Sequence, residues 1–270
     1  MRKIFFISIL FSSVTLSQTL IPKLPQITAS SFLLIDAETN KIIAQQNPEA
    51  STGLASITKI MTSYIVADYL KKGFLKIKDS TTVSEKCWRM EGSRMFIQEG
   101  KKVSIEDLMR GMIVQSGNDA ACALAEHIAG TQEDFAILMN DYAKKMELKN
   151  TNFTNPTGLP NINHYSTAED IAKLSIFLIN DFPDEYSIFS EKEFTYNDIR
   201  QFNRNSLLFQ DDSIDGIKTG HTQASGYCLV ASSKRGDMRL ISIVLNSVSE
   251  KSRRRDTRSL LDYGFKYYRT

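Results

Sequence analysis

Ser31-Phe32-Leu33-Leu34-Ile35-Asp36 and Lys41-Ile42-Ile43-Ala44-Gln45 flank the turn-like Glu38-Thr39-Asn40. Two apolar runs across a polar corner predict a β-hairpin near the N-terminus. A second pair stands near the other end: Tyr227-Cys228-Leu229-Val230-Ala231 and Arg239-Leu240-Ile241-Ser242-Ile243-Val244, separated by a polar stretch containing Lys234-Arg235-Gly236-Asp237. Between the hairpins the pattern is mainly helical. Ile57, Ile60, Met61, Tyr64 and Ala67 recur at helical spacing and predict a helix over about 56–71. Ser104-Ile105-Glu106-Asp107 forms an acidic capping start, Gly117 ends the helix behind it, and Asn118 opens the next. Further helices are expected over 131–147, over 167–180 after the capping box Ser166-Thr167-Ala168-Glu169, and over 250–266. Strands at both ends with helices between them predict an α+β architecture: one antiparallel sheet assembled from both termini, with an all-helical lobe inserted.

The N-terminus pairs Arg2-Lys3 with an apolar run from Ile4 to Leu16 and a small residue at Ser17. Residues 1–17 therefore read as an export signal, too short to span a bilayer comfortably, which ranks it above the rival reading of an uncleaved anchor, and no cysteine follows the run to carry a lipid. Removing them takes two of the 33 basic residues and leaves the count level with the 31 acidic ones, so no polyanionic partner such as nucleic acid is indicated. The basic cluster from Lys251 to Arg258 is balanced by Glu250 and Asp256 and reads mostly as a solvated helix face. Cys87, Cys122 and Cys228 make an odd count with no close pair, which signals neither a disulfide framework nor a zinc site. They are expected to be buried small hydrophobes.

Three short motifs occur once each, in order: Ser56-Ile57-Thr58-Lys59, Ser116-Gly117-Asn118 and Lys218-Thr219-Gly220. Each alone has an ordinary structural explanation, as a helix start, a helix break with an Asn cap, and a polar turn. Together they supply complementary chemistry. A spacing of three puts Ser56 and Lys59 on one helix face, where a neutral amine can take the serine proton, provided that burial and a cation such as Lys218 lower the lysine pKa. Ser116 can relay a proton to a leaving amine, and Asn118 can hold a substrate amide; Gly117 would permit the bend that aims both into a cleft. Lys218 and Thr219, just before the strand expected at Tyr227, can bind a free carboxylate by charge-assisted hydrogen bonds, and Gly220 would let substrate approach the backbone. The N–H groups of Ser56 and His221 would form an oxyanion hole.

This motif trio resembles that of the D-alanyl-D-alanine carboxypeptidases, the low-molecular-mass penicillin-binding proteins that share a fold with serine β-lactamases. Glu85-Lys86-Cys87-Trp88, Gln115-Ser116-Gly117-Asn118-Asp119-Ala120, Asn203-Arg204-Asn205, Asp215-Gly216-Ile217-Lys218-Thr219-Gly220-His221-Thr222 and Leu260-Leu261-Asp262-Tyr263-Gly264-Phe265 extend the similarity over nearly everything after residue 28. The resemblance implies a β-lactamase/DD-peptidase-like catalytic domain over residues 28–270. It implies Ser56 as acylated nucleophile, Lys59 as its base, Ser116 and Asn118 as relay and positioning residues, and Lys218, Thr219, Gly220 and His221 at the substrate. It also implies an arginine at the substrate carboxylate, placed by spacing at Arg253, with Arg254 and Arg255 as rivals. The expected substrate is a peptidoglycan stem peptide, with β-lactams as inhibitors, in the periplasmic or other extracytoplasmic wall space. No cofactor or metal is expected. Many relatives continue into a β-rich domain and an amphipathic anchor helix, whereas this sequence stops at Tyr268-Arg269-Thr270, so no C-terminal membrane anchor is expected.

The alternatives are a DD-endopeptidase of the same fold and a catalytically idle penicillin or wall sensor, which would not need the base Lys59. A class A β-lactamase is disfavoured because no Glu-x-x-Leu-Asn string lies between the second and third motifs. His164 sits in a loop with no partner spacing, and neither His-Glu-x-x-His nor Gly-x-Ser-x-Gly occurs. Trp88, Met90, Met95 and Phe96 are assigned to core packing rather than to a cleft wall.

Overall fold

The computed structural model describes residues 22–269, so the proposed export signal lies outside the described residues. The chain opens with strands β1 (Ser31–Asp36) and β2 (Ile42–Gln46). Helix α1 (Lys59–Lys71), strand β3 (Ser80–Thr82), helix α2 (Glu85–Trp88) and strand β4 (Lys102–Ser104) follow. The helical lobe continues with α3 (Ile105–Ile113), α4 (Asn118–Ala129), α5 (Gln132–Lys145), α6 (Ala168–Asp181) and α7 (Pro183–Tyr186). A small hairpin, β5 (Glu193–Tyr196) and β6 (Ile199–Phe202), precedes the long strands β7 (Ile214–Thr222), β8 (Gly226–Arg235) and β9 (Met238–Ser247) and the last helix α8 (Glu250–Tyr267).

The main sheet has the order β2-β1-β9-β8-β7, and its neighbours are all antiparallel. Pairing of β1 with β9 joins the two ends of the chain, as the sequence predicts. The N-terminal hairpin closes because Asp36 Oδ1 accepts from the N–H groups of Glu38 and Thr39 at 3.0 and 2.9 Å, while Asn40 takes the left-handed conformation. Alternation then sorts the strands' side chains between two layers. Phe32, Leu34, Leu240 and Val244 pack with Leu260, Leu261 and Phe265 of α8. Leu33, Ile35, Ile241, Ile243 and Leu245 join the larger core of the helical lobe. Among the described residues no helix is long and apolar enough to cross a membrane.

The expected helices form, with small shifts. The segment 56–71 begins as a 3-10 turn over Ala55–Thr58 before α1. The cap of α6 is Thr167, whose hydroxyl accepts from Asp170 N–H, one residue beyond the box read from the sequence. Met95 is fully buried, but Trp88 and Phe96 are 38% and 45% exposed, against the core assignment.

Two readings are corrected more deeply. Lys218-Thr219-Gly220 is part of a strand, β7, rather than of a turn before one. Its glycines and buried lysine hide the strand pattern because the sheet packs too closely there for larger side chains: a Cβ on Gly216 would lie 2.7 Å from Tyr186 Oη, and one on Gly220 2.8 Å from Leu54 O. Cys87 and Cys122, both fully buried, are joined in a disulfide that staples α2 to α4, while Cys228 is a free buried thiol. Spacing carries no signal of that bond because α2 and α4 meet only through tertiary packing.

The disulfide closes a separation of 35 residues, and loop-closure entropy of that size stabilises a fold by about 3–4 kcal/mol. Replacing both cysteines by serine should lower Tm by roughly 10 °C in calorimetry. Reduced wild type should fall to a similar Tm; an unchanged Tm in the variant would contradict this account.

Candidate active site

The three motifs converge where the 3-10 turn, the corner between α3 and α4, and the edge strand β7 meet. Side chains three apart nearly eclipse in a 3-10 turn, and Lys59 Nζ accordingly lies 3.0 Å from Ser56 Oγ. Ser56 is partly exposed, whereas Lys59 is fully buried. The amine also lies 2.6 Å from Asn118 Oδ1 and 2.7 Å from Thr157 O. Asn118 Nδ2 donates to Glu91 O at 2.6 Å, which fixes the amide with its oxygen toward the lysine.

These partners define what the amine can do. A neutral lysine has two N–H groups and one lone pair. Asn118 Oδ1 and Thr157 O can only accept, so they take the two hydrogens and leave the lone pair for the Ser56 hydroxyl. Burial, and next the Lys218 cation, hold the Lys59 pKa well below the ordinary lysine value, while Asp119 opposes them. A neutral amine so placed can remove the serine proton.

Ser116, rather than Gly117, makes the bend: its φ is 66°. Gly117 instead permits close approach, since a Cβ there would lie 2.8 Å from Asp119 Oδ1 and 3.2 Å from Gly111 O. Asp119 is buried at the start of α4 and accepts from the N–H groups of Met95, Phe96, Ile97 and Ala120 at 2.9–3.3 Å, fastening the segment before β4 over the corner. Ser116 is buried beside Asn118, but among the described residues no hydrogen bond joins its hydroxyl to Lys59 or Lys218.

On β7, Lys218 and Thr219 are buried and His221 is exposed, its ring centroid 3.9 Å from that of Tyr227 with the two planes tilted by 30°. Gly220 admits the nucleophile turn: the space its missing Cβ leaves is taken by Leu54 O and Ala55, not left for substrate. Of the three candidate arginines, Arg253 reaches this strand. It is buried, with Nη1 donating to Gly220 O and Cys228 O at 3.4 and 3.3 Å and with Nε lacking a partner among the described residues. Arg254 turns to Ser206, and Arg255 to Asp256 and Thr28. Burial lowers the Lys218 pKa to about 7, helped by the cations Arg204 and Arg253. Such a group of cations is suited to an anionic ligand.

Two residues of this site carried no assigned role in the sequence. Arg204, inside Asn203-Arg204-Asn205, acts on Lys218 by its charge. His164 is buried: Thr154 N–H donates to Nδ1 at 3.0 Å, so Nε2 keeps the proton and donates to Thr58 Oγ1 at 2.7 Å. With Thr62 Oγ1 donating to Pro156 O at 2.7 Å, this bond docks the loop that offers Thr157 O to Lys59. Neither contact has a local sequence signature, because the histidine and its partner Thr58 are 106 residues apart.

Residues 18–249 match the family described as D-alanyl-D-alanine carboxypeptidase. The chain belongs to that family. It is similar to D-alanyl-D-alanine carboxypeptidase DacA of Escherichia coli (strain K12), 45% identical over 260 residues that cover 94% of this chain and 64% of the relative. The chain thus spans somewhat less than two thirds of that relative's length. Penicillin-binding protein 5 of Haemophilus influenzae superposes with a TM-score of 0.89 at 45% identity, over 91% of this chain and 73% of that one. Penicillin-binding protein D2 of Listeria monocytogenes, in its ampicillin-bound form, superposes with a TM-score of 0.83 at 29% identity, over 90% and 100% of the two chains. The β-lactamase/DD-peptidase-like fold and the mixed α+β class follow.

In this family member, burial, and next Lys59, push the His164 pKa down to about 4. The unfolded chain therefore binds the proton first, near the ordinary value of about 6.5. Stability is present above that pH and is lost as pH falls toward 4, by about 3 kcal/mol. In denaturant titrations from pH 7 to pH 4, His164→Gln should start less stable than wild type and lose less. Parallel pH profiles would show that His164 is not buried in its neutral form.

Proposed function

We propose that the chain is an exported serine D-alanyl-D-alanine carboxypeptidase. Residues 1–17 direct it to the extracytoplasmic wall space, and residues 28–270 form the catalytic domain. The observation that carries this reading is the Lys59 amine 3.0 Å from Ser56 Oγ, whose two acceptor-only partners, Asn118 Oδ1 and Thr157 O, leave the lone pair of the neutral form for Ser56. A wall-binding module that forms no covalent bond has no need of such a base.

The substrate is a peptidoglycan stem peptide ending in D-Ala-D-Ala. Its terminal carboxylate is held by Lys218, Thr219 and Arg253, and its amide by Asn118. Lys59 takes the Ser56 proton as Oγ bonds to the penultimate carbonyl carbon, and the N–H groups of Ser56 and His221 stabilise the oxyanion. As the C–N bond breaks, Ser116 passes its hydroxyl proton to the departing D-alanine amine and takes in its place the proton that Lys59 received from Ser56, which returns Lys59 to its neutral form. The acyl ester is then cleaved by a water whose proton goes to Lys59 and whose hydroxyl stays on the peptide, and Ser56 recovers its hydrogen. A β-lactam enters the same sequence through its ring amide, whose nitrogen stays tethered to the acyl group. The ampicillin-bound form of the Listeria relative supports that part of the reading.

The test is to incubate the protein with a D-Ala-D-Ala-ending peptide and with labelled penicillin. Ser56→Ala should lose both D-alanine release and label, and Lys59→Ala should slow acylation by about 10²–10⁴. Retention of both activities in Ser56→Ala would rule the mechanism out, and label without release in wild type would favour a sensor.

A further prediction concerns pH. The Lys218 cation lowers the Lys59 pKa, so in Lys218→Ala the amine stays protonated to higher pH. The acid limb of the penicillin acylation rate should therefore move upward relative to wild type. A limb that stays in place would mean that Lys218 does not set the charge state of Lys59.

A further inference from the structure

The segment from Cys87 to Ile97 crosses the start of α4 and is tied to that helix at both ends. At its far end Asp119 accepts from the N–H groups of Met95, Phe96 and Ile97 at 3.0, 2.9 and 3.3 Å. At its near end Cys87 is bonded to Cys122, about one helical turn beyond Asn118. Between the two ties the segment meets Asn118, whose side-chain amide donates to Glu91 O at 2.6 Å and whose backbone N–H donates to Ser93 O at 2.7 Å. Gly92 stands between those carbonyls with a φ of 82°, and a Cβ on it would lie 2.8 Å from Asn118 Nδ2, so backbone rests directly on the amide. Little else restrains the near end. Helix α2 is a single turn, and Trp88 to Gly92 are exposed or half-buried. The Lys86–Glu133 ion pair is exposed on both sides, and such pairs contribute little.

We infer that the Cys87–Cys122 disulfide is a positioning element of the active site as well as a staple of the fold: it holds Glu91 O on the Asn118 amide, so that activity depends on the oxidised pair. The inference rests on the carboxypeptidase reading above and adds a redox condition to it. Glu91 O decides which end of the amide faces Lys59, because it takes Nδ2 and leaves Oδ1 for the amine. With the disulfide open, Asp119 still holds residues 95–97, but the stretch from 87 to 93 can lift, and Asn118 loses the acceptor that orients it. A turned amide then points its N–H groups at Lys59, where they compete with Ser56 for the lone pair. Misplacement of a group in direct contact with the base lowers the rate. Opening is a two-electron reduction: a dithiol gives one hydrogen to each of Cys87 and Cys122 and itself closes to a cyclic disulfide.

The experiment measures acylation by labelled penicillin, and D-alanine release from a D-Ala-D-Ala-ending peptide, for three forms: oxidised wild type, wild type refolded and kept in a dithiol, and Cys87→Ser/Cys122→Ser. All are assayed at a temperature where near-UV circular dichroism shows them folded. Both opened forms should acylate about tenfold more slowly than the oxidised protein. Asn118→Ala, itself slow, supplies the other side of a double-mutant cycle: with the amide gone, opening the pair should cost nothing further. Equal rates for oxidised and opened protein would overturn the inference. So would a loss of the same size in the Asn118→Ala background, since a merely loosened fold slows both backgrounds alike. In either case label and release by the oxidised protein leave the carboxypeptidase reading standing. Neither label nor release from folded, oxidised protein would overturn that reading and this inference with it.

Discussion

A lysine amine with no exposure to water sits where three parts of the fold meet, and its needs organise the site around it. Ser56 comes from the turn before α1, Asn118 from the start of α4, and Thr157 from the loop between α5 and α6. Burying a charged ammonium is costly, and the cationic strand beside it adds to that cost, so the group is driven toward its neutral form. Two acceptor-only partners then leave it one free function, the lone pair. Charge state and geometry thus arise from the same packing.

That packing depends on close approach between elements. Gly158 lies against Ala55, Gly220 against Leu54 and Ala55, and Gly117 against Gly111 and Asp119. Any side chain at these positions would separate the loop, the strand or the corner from the lysine. The hydrogen bonds of Asp119 and His164 then fasten two of the approaching segments. The position of β7 at the edge of the sheet leaves one of its sides open to a ligand.

Much of this is legible in the sequence where the signal is local. Both terminal hairpins, the main helices and the Ser56–Lys59 spacing depend on periodicity and capping within a few residues of each other. What escapes is of two kinds. β7 is hidden because its sequence answers to tertiary contact: glycine where Leu54 and Tyr186 crowd it, and lysine where the site buries a cation. Contacts between distant residues are the other kind. Cys87 meets Cys122, His164 meets Thr58, and Arg204 acts on Lys218, none at a spacing that marks the pair. Residue type places the bend at Gly117, yet the left-handed backbone falls on Ser116, because Gly117 is used for proximity instead.

By itself the sequence determined the inventory: a sheet built from both ends, an inserted helical lobe, and serine, lysine, asparagine and cationic groups in one order along the chain. Local periodicity and the intrinsic chemistry of side chains suffice for that. Only the tertiary structure decided which arginine turns to β7, which amide oxygen faces Lys59, and that the cysteines pair. These properties belong to distances between chain-remote atoms and to their exclusion from water, and both exist only once the layers have closed.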